Sequence, residues 1–203
     1  MSNEAYVPNK SRAAIINAQR GRLRTTICVD MDDVIADTLR EQILRYNREF
    51  DEQLTATILG GRCIWDFVPP DRVPALERQI AAEDFYPSLS AVPYSQVVLE
   101  RLQHRYEVYI ATAVMEYPRS FSAKYQWLRQ NFPFIQPSHI VFCGHKGILQ
   151  GDFLIDDNPL ELQLFRGRAI LYSSPANSLI QEFRRVNNWW EIERFFLGPY
   201  DSS

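Results

Sequence analysis

The sequence is short of several things, and each shortage excludes a class of protein. Cysteine occurs three times, as Cys28, Cys63 and Cys143. An odd count without C-x-x-C spacing supports neither a disulfide framework nor a zinc site. Cys28 and Cys143 sit in the apolar runs TTICVD and HIVFCG, where a cysteine serves as a small buried hydrophobe. The three histidines, His104, His139 and His145, show no metal-ligand spacing. A basic excess is also missing. Against 25 acidic residues stand 22 basic ones, a net charge of −3, which gives no general case for binding a nucleic-acid polymer. No apolar run reaches the roughly 18 residues of a membrane span. Residues 1–24 lack the continuous apolar stretch of a secretory leader and read as a solvated tail or surface helix. A reducing cytoplasm is the expected location. Lysine is scarce: only Lys10, Lys124 and Lys146 occur among the 22 basic side chains.

What is present is ordinary globular material. The 203 residues are 46% hydrophobic and 23% charged, enough for one domain with a small insertion. Apolar, β-branched runs predict strands at 25–30, 106–111, 138–142, 152–156 and 168–172. Helical spacing predicts helices at 36–50, 94–105, 119–131 and 188–197. Residues from about 51 to 92 differ in character, with Gly60-Gly61, Pro69-Pro70 and the aromatics Trp65, Phe67, Phe85 and Tyr86. Short helices and loops are expected there. Five short strands alternating with helices imply an α/β fold, a Rossmann-like parallel sheet sandwiched by helices. The expected division is a core of 25–35 and 93–203 and a small, mainly helical cap over 36–92.

In such folds ligands bind outside the carboxyl ends of the strands. The first predicted strand ends in Asp30-Met31-Asp32-Asp33 and the second in Ala111-Thr112-Ala113. The third leads to Cys143-Gly144-His145-Lys146, and the fourth ends in Asp156-Asp157. Taken singly, such residues serve turns and helix caps more often than chemistry. Together they are stronger evidence. Carboxylates gathered at one sheet edge repel each other and call for a cation. A small set of hard oxygen ligands suits Mg²⁺. Beside such a cation, a threonine hydroxyl and a lysine form a cradle for phosphate. Lys146 is the one lysine that falls where this chemistry needs a cation; Lys10 lies in the tail and Lys124 on a helix.

The order and spacing of these elements resemble the haloacid dehalogenase superfamily of phosphatases. ICVDMDDVIADT is similar to its first motif, VYIATA to its second, Lys146 to its third and FLIDDNP to its fourth. Thr112 follows Asp30 by 82 residues, which leaves room for a cap between the first two motifs. A narrower likeness runs through DMDDVIAD, DFYPSLSAVPYSQVVLERL, SAKYQWLRQNF and HKGILQGDFLIDD, which resemble the 5′(3′)-deoxyribonucleotidases. The chain departs from that group at Ala113, where a second hydroxyl is usual, and at the Gly-His before Lys146.

The resemblance implies a set of roles. Asp30 would be the nucleophile that forms an aspartyl-phosphate, and Asp32 the general acid and base. Mg²⁺ would be held by Asp30, the Asp32 carbonyl and Asp157, with Asp156 behind them. Thr112, Lys146 and the main-chain N–H groups of Met31 and Asp32 would hold the phosphate. Trp65, Phe67, Phe85 or Tyr86 could stack on a nucleobase, or form the cap's own small core. Arg62 and Arg72 are candidates for base or sugar, Trp189 and Trp190 for packing. The expected partner is a small phosphomonoester, a deoxynucleoside monophosphate, with a homodimer compatible with the sequence. The competing readings are a phosphatase for a sugar or amino-acid phosphate, and a non-catalytic phosphate-binding or phosphoacceptor module.

Overall fold

A computed structural model describes residues 24–115 and 117–198 of the chain. The expected N-terminal tail falls almost wholly outside the described residues.

The sheet grows from β1 (Thr26–Val29), whose Thr-Ile-Cys-Val run is buried from Ile27 onward. β2 (Glu107–Ala113), β3 (Ile140–Cys143), β4 (Phe153–Asp156) and β5 (Arg168–Tyr172) follow, close to their predicted positions. A sixth strand, β6 (Arg184–Val186), pairs with β5 at the edge. It was not expected, because two of its three residues are arginine and an edge strand needs to bury only one face. Here Val186 does so. All pairings are parallel, in the order β3-β2-β1-β4-β5-β6. The strand order reverses between β1 and β4, so the crevice at the carboxyl ends lies there.

Alternation along the strands divides the core into two layers. Ile27, Val29, Ile155 and Ile170 face a large cluster, while Cys28, Leu154 and Leu171 face a smaller one. The large layer is covered by α5 (Ser95–Gln103), α6 (Phe121–Asn131) and α8 (Trp189–Leu197) through Leu99, Trp127 and Trp189. The small layer is covered by α7 (Pro159–Leu164) through Leu162. Trp189 is fully buried and its Nε1–H donates to the Val34 carbonyl at 2.9 Å. Its neighbour Trp190 is exposed and packs on Tyr94. Cys28 and Cys143 are buried free thiols, while Cys63 is exposed. No helix among the described residues is long and apolar enough to cross a membrane.

Between β1 and α5 the chain makes four helices: α1 (Thr38–Phe50), α2 (Ala56–Leu59), α3 (Val73–Ile80) and α4 (Phe85–Ser88). This insertion leaves and returns through one narrow stem. Ala36 bridges Ala91 in antiparallel fashion, Asp37 N–H donates to Ser90 O at 3.0 Å, and Val92 N–H donates to Ile35 O at 2.8 Å. Leu59, Leu76 and Phe85 carry the large apolar cluster into the insertion. Arg45 ties α1 to α4, reaching Glu41, Asp84 and Ser88. Trp127 on α6 donates to Leu89 O at 3.0 Å, which fixes the far end of the insertion against the sheet layer.

Candidate active site

The chain leaves β1 through a tight loop. Asp30 N–H donates to Ile155 O at 2.9 Å, so Asp30 is still in register with β4. The N–H groups of Ile35 and Ala36 then both return to Met31 O, and Asp33 N–H donates to Ala36 O at 2.7 Å. Closing that loop places Asp33 in the left-handed region, φ +58°. This is an uncommon conformation for a residue other than glycine. Asp33 is put to use there: its Oδ1 accepts the Leu39 N–H at 2.7 Å and so caps α1.

Two environments follow from this loop. In the first, Lys146 Nζ lies 2.6 Å from Asp30 Oδ1 and 2.5 Å from Asp156 Oδ2. Lys146 is buried, and its own N–H donates to Glu161 Oε2 at 2.5 Å. Asp156 Oδ1 accepts the Asn158 N–H at 2.9 Å, so both of its oxygens are occupied from within the protein. Oxygens of Asp30, Asp156 and Asp157 lie within 4.8 Å of one another. One ammonium cannot neutralise three carboxylates. Burial pushes Asp30 up to about 7 against the pull of Lys146, with Asp156 and Asp32 adding to the rise. Burial, then Asp33, Asp156 and Asp30, holds Asp157 well above the usual carboxylate range. Asp33 is pushed up to about 7, mainly by burial. Burial opposes the charge on Lys146, but Asp30 and Asp156 outweigh it and keep the ammonium protonated. This donor set, all hard oxygen and short of positive charge, fits a divalent cation such as Mg²⁺.

In the second environment Asp32 stands at the edge of the cluster, its side chain 28% exposed. Its Oδ1 accepts the Thr38 hydroxyl at 3.0 Å and its Oδ2 lies 2.5 Å from Lys124 Nζ. Lys124 also donates to Thr112 Oγ1 at 2.9 Å and to Ala113 O at 3.2 Å. This corrects the expectation that Lys146 alone meets the chemistry. Lys124 is 97% buried by side chain and joins the first motif to the second. A signal was present in the sequence: Lys124 lies three residues before the buried Trp127, on the same inward face of α6.

Asp30, Asp32, Thr112, Lys146, Asp156 and Asp157 therefore meet at one sheet edge. Met31 is fully buried, and among the described residues no acceptor takes its main-chain N–H or that of Asp32. The insertion's aromatics divide differently from expectation. Phe85 is fully buried beneath Arg45 and offers no free face, so it is packing rather than a surface for a base. Trp65 and Phe67 are half-buried against the large cluster, with Arg62 stacked on Phe67. The aromatic that reaches the site is Tyr86, whose ring centre is 5.3 Å from Lys124 Nζ. Arg72 is spent within the insertion on Glu52, Tyr46 and Phe50. His145 is exposed.

With this geometry in hand, comparison with known proteins is informative. Residues 24–198 match the family model described as 5′ nucleotidase, deoxy (pyrimidine), cytosolic type C protein. A 5′(3′)-deoxyribonucleotidase of Bacillus subtilis (strain 168) is 35% identical over 175 residues, covering 86% of this chain and 100% of that protein. A Staphylococcus aureus (strain MSSA476) protein bearing a provisional form of the same name is 41% identical over 174 residues, covering 86% of this chain and 96% of that one. Among solved structures, a haloacid dehalogenase-like family hydrolase from Streptococcus pneumoniae superposes with a TM-score of 0.60 at 14% identity. That alignment covers 85% of this chain and 98% of the other. YfnB of Bacillus subtilis, provisionally named a haloacid dehalogenase hydrolase and solved bound to magnesium, gives 0.54 at 15% identity, covering 86% of this chain and 99% of the other. These structural likenesses speak for the fold.

Proposed function

This chain belongs to the 5′ nucleotidase, deoxy (pyrimidine), cytosolic type C family, and from that premise we infer that it hydrolyses deoxynucleoside monophosphates through a covalent phosphate on Asp30. It is a phosphatase of the haloacid dehalogenase superfamily, most like the 5′(3′)-deoxyribonucleotidases. One observation carries the finer reading: the carboxylates of Asp30, Asp156 and Asp157 converge with a single lysine at the carboxyl ends of β1 and β4.

Asp30 Oδ attacks phosphorus and the bond from phosphorus to the leaving oxygen breaks. Asp32 gives its proton to that oxygen, and the nucleoside departs. Water then attacks the aspartyl-phosphate, Asp32 takes a proton from it, and phosphate leaves with Asp30 restored. Thr112, Lys124 and the main-chain N–H groups of Met31 and Asp32 receive the phosphoryl oxygens. An incoming phosphate dianion competes for the Lys124 ammonium, which releases Asp32 to take up the proton it must later donate. Thr38 keeps Asp32 oriented during that exchange. Lys146 holds the charge on Asp30 and Asp156.

Mg²⁺ would be held by Asp30, Asp157 and the Asp32 carbonyl, with Asp156 behind them, and would supply charge neutralisation between an anionic nucleophile and an anionic substrate. We assign residues 36–92 as the cap over this site and 25–35 with 93–203 as the core. The single stem at Ala36 and Ala91 supports that division. Trp65 and Phe67, half-exposed, are the aromatics available to the nucleoside, while Tyr86 is buried behind Lys124. A panel of phosphate esters with Mg²⁺ tests the substrate class. Deoxynucleoside monophosphates should turn over fastest; preference for a sugar or amino-acid phosphate would refute it.

A further inference from the structure

Asp157 differs from its neighbours in how it is held. Asp30 and Asp156 are both gripped through their carboxylates by Lys146. Among the described residues no donor reaches the Asp157 carboxylate, so its direction is set by its main chain. That main chain is held by Asn177, in the turn Pro175–Asn177 after β5. Asn177 is 2% exposed, and its amide makes four bonds within the protein. Nδ2 donates to Asp157 O at 2.8 Å and to Tyr172 O at 2.8 Å. Oδ1 accepts from Ser174 N–H at 3.1 Å and from Arg185 Nη1 at 2.8 Å. An amide offers two donors and two acceptor lone pairs, and here every one is used.

Arg185 on β6 braces the same turn. Its Nη2 donates to Asn177 O at 2.9 Å and to Ile180 O at 2.6 Å, and its Nη1 donates to Ser173 Oγ at 3.1 Å. From the other side the insertion closes on this turn: Gly61 N–H donates to Pro175 O at 2.9 Å. Gly61 has φ +90°, and a Cβ there would fall 2.5 Å from Leu179 Cγ, so only glycine permits the approach.

We propose that Asn177, backed by Arg185, is a positioning residue that aims the Asp157 carboxylate at the cation site. The inference rests on the reading of Asp157 as a cation ligand. Outer contacts of this kind fix ligands that cannot fix themselves. Asn177→Asp keeps the two acceptor bonds, loses both donors and sets an oxygen against the Asp157 carbonyl. Arg185→Met removes the brace and leaves the amide.

The test is a calorimetric titration of Mg²⁺ into the substrate-free full-length protein and both variants. Mg²⁺ binding should weaken about 10–100-fold in Asn177→Asp, and less, but at least about threefold, in Arg185→Met. The Mg²⁺ concentration for half-maximal turnover should rise in parallel, while KM for substrate at saturating Mg²⁺ stays unchanged. A role confined to tying the turn would lower the melting temperature and leave Mg²⁺ binding alone. A folded Asn177→Asp that binds Mg²⁺ like the parent overturns the proposal. Should that variant fail to fold, unchanged binding in Arg185→Met overturns it instead. A parent protein that binds no Mg²⁺ refutes the cation reading of Asp157 itself, a separate outcome.

Discussion

Asp30 and Asp32 are separated by one residue, yet the fold builds two different surroundings for them. Asp30 is buried, shares Lys146 with Asp156, and is pushed up to about 7 by the loss of water and by neighbouring carboxylates. Asp32 is partly open and is held by Thr38 and Lys124, with Thr112 on the far side of the lysine. Asp30 stays in register with β4 and meets Lys146 beside Asp156, whereas Asp32 meets Lys124, which also reaches Thr112 on β2. In the proposed mechanism Asp30 would be the nucleophile beside the cation site and Asp32 the proton carrier at its solvent edge. On that reading the same residue type would serve two roles because environment, not identity, assigns them.

The sharpest way to break this comparison is to neutralise each aspartate in turn. Asp30→Asn should abolish phosphate release, by on the order of 10⁴-fold or more in kcat, with the circular dichroism spectrum unchanged. Near-parental turnover in that variant would remove the nucleophile from the account. Asp32→Asn should cost less, about 10²–10⁴-fold, since a misplaced proton slows but does not forbid attack. It should also bind phosphate, with an affinity that a titration can read.

The two lysines extend the comparison to stability. Lys146→Met strips the partner from two buried carboxylates, and a loss of about 3–5 kcal/mol in urea unfolding is expected without divalent cation. Lys124→Met leaves Asp32 beside solvent, so the loss should be about 1.5–3 kcal/mol, that of hydrogen bonds to a charged group. The reverse order would mean that the Lys124 side is the more deeply desolvated of the two.

The smallest effect expected is on the pH dependence of melting. Asp30 and Asp33 have pKa values near 7 in the fold, above the ordinary carboxylate value. Raised carboxylate values favour the folded protein while the groups are protonated. That contribution is therefore complete below the unfolded pKa, about 4, and is lost as pH rises through about 7. In chelator the melting temperature should decline over that window. Mg²⁺ should restore it, increasingly so as the carboxylates ionise, by about 2–4 °C for each kcal/mol recovered. A Mg²⁺ shift that is constant from pH 5 to 8 would contradict this.

How far the sequence led is clear from particular residues. Asp30, Thr112, Asp156 and Asp157 were legible because each lies at or just past the end of a short strand, and a parallel sheet collects strand ends at one edge. Lys146 was legible by its place ahead of β4. Lys124 was harder to read, because a lysine within a helix is usually a solvated one; its spacing from Trp127 was a weak hint, and its bonds to Asp32 and Thr112 show that it turns inward. Asp33 was hidden within an acidic run that also reads as a turn. β6 carries two arginines and gives no apolar run. Phe85 and Tyr86 are adjacent, and which of them faces the site depends on the angle at which α4 meets α6, a tertiary fact that no spacing encodes.

The central claim, two displacements at phosphorus through Asp30, is tested most directly by the stereochemical course of hydrolysis. A deoxynucleoside monophosphate made chiral at phosphorus with sulfur and oxygen isotopes should give product with net retention of configuration, since two inversions cancel. Net inversion would mean that water attacks the substrate directly, and Asp30 would not be the nucleophile.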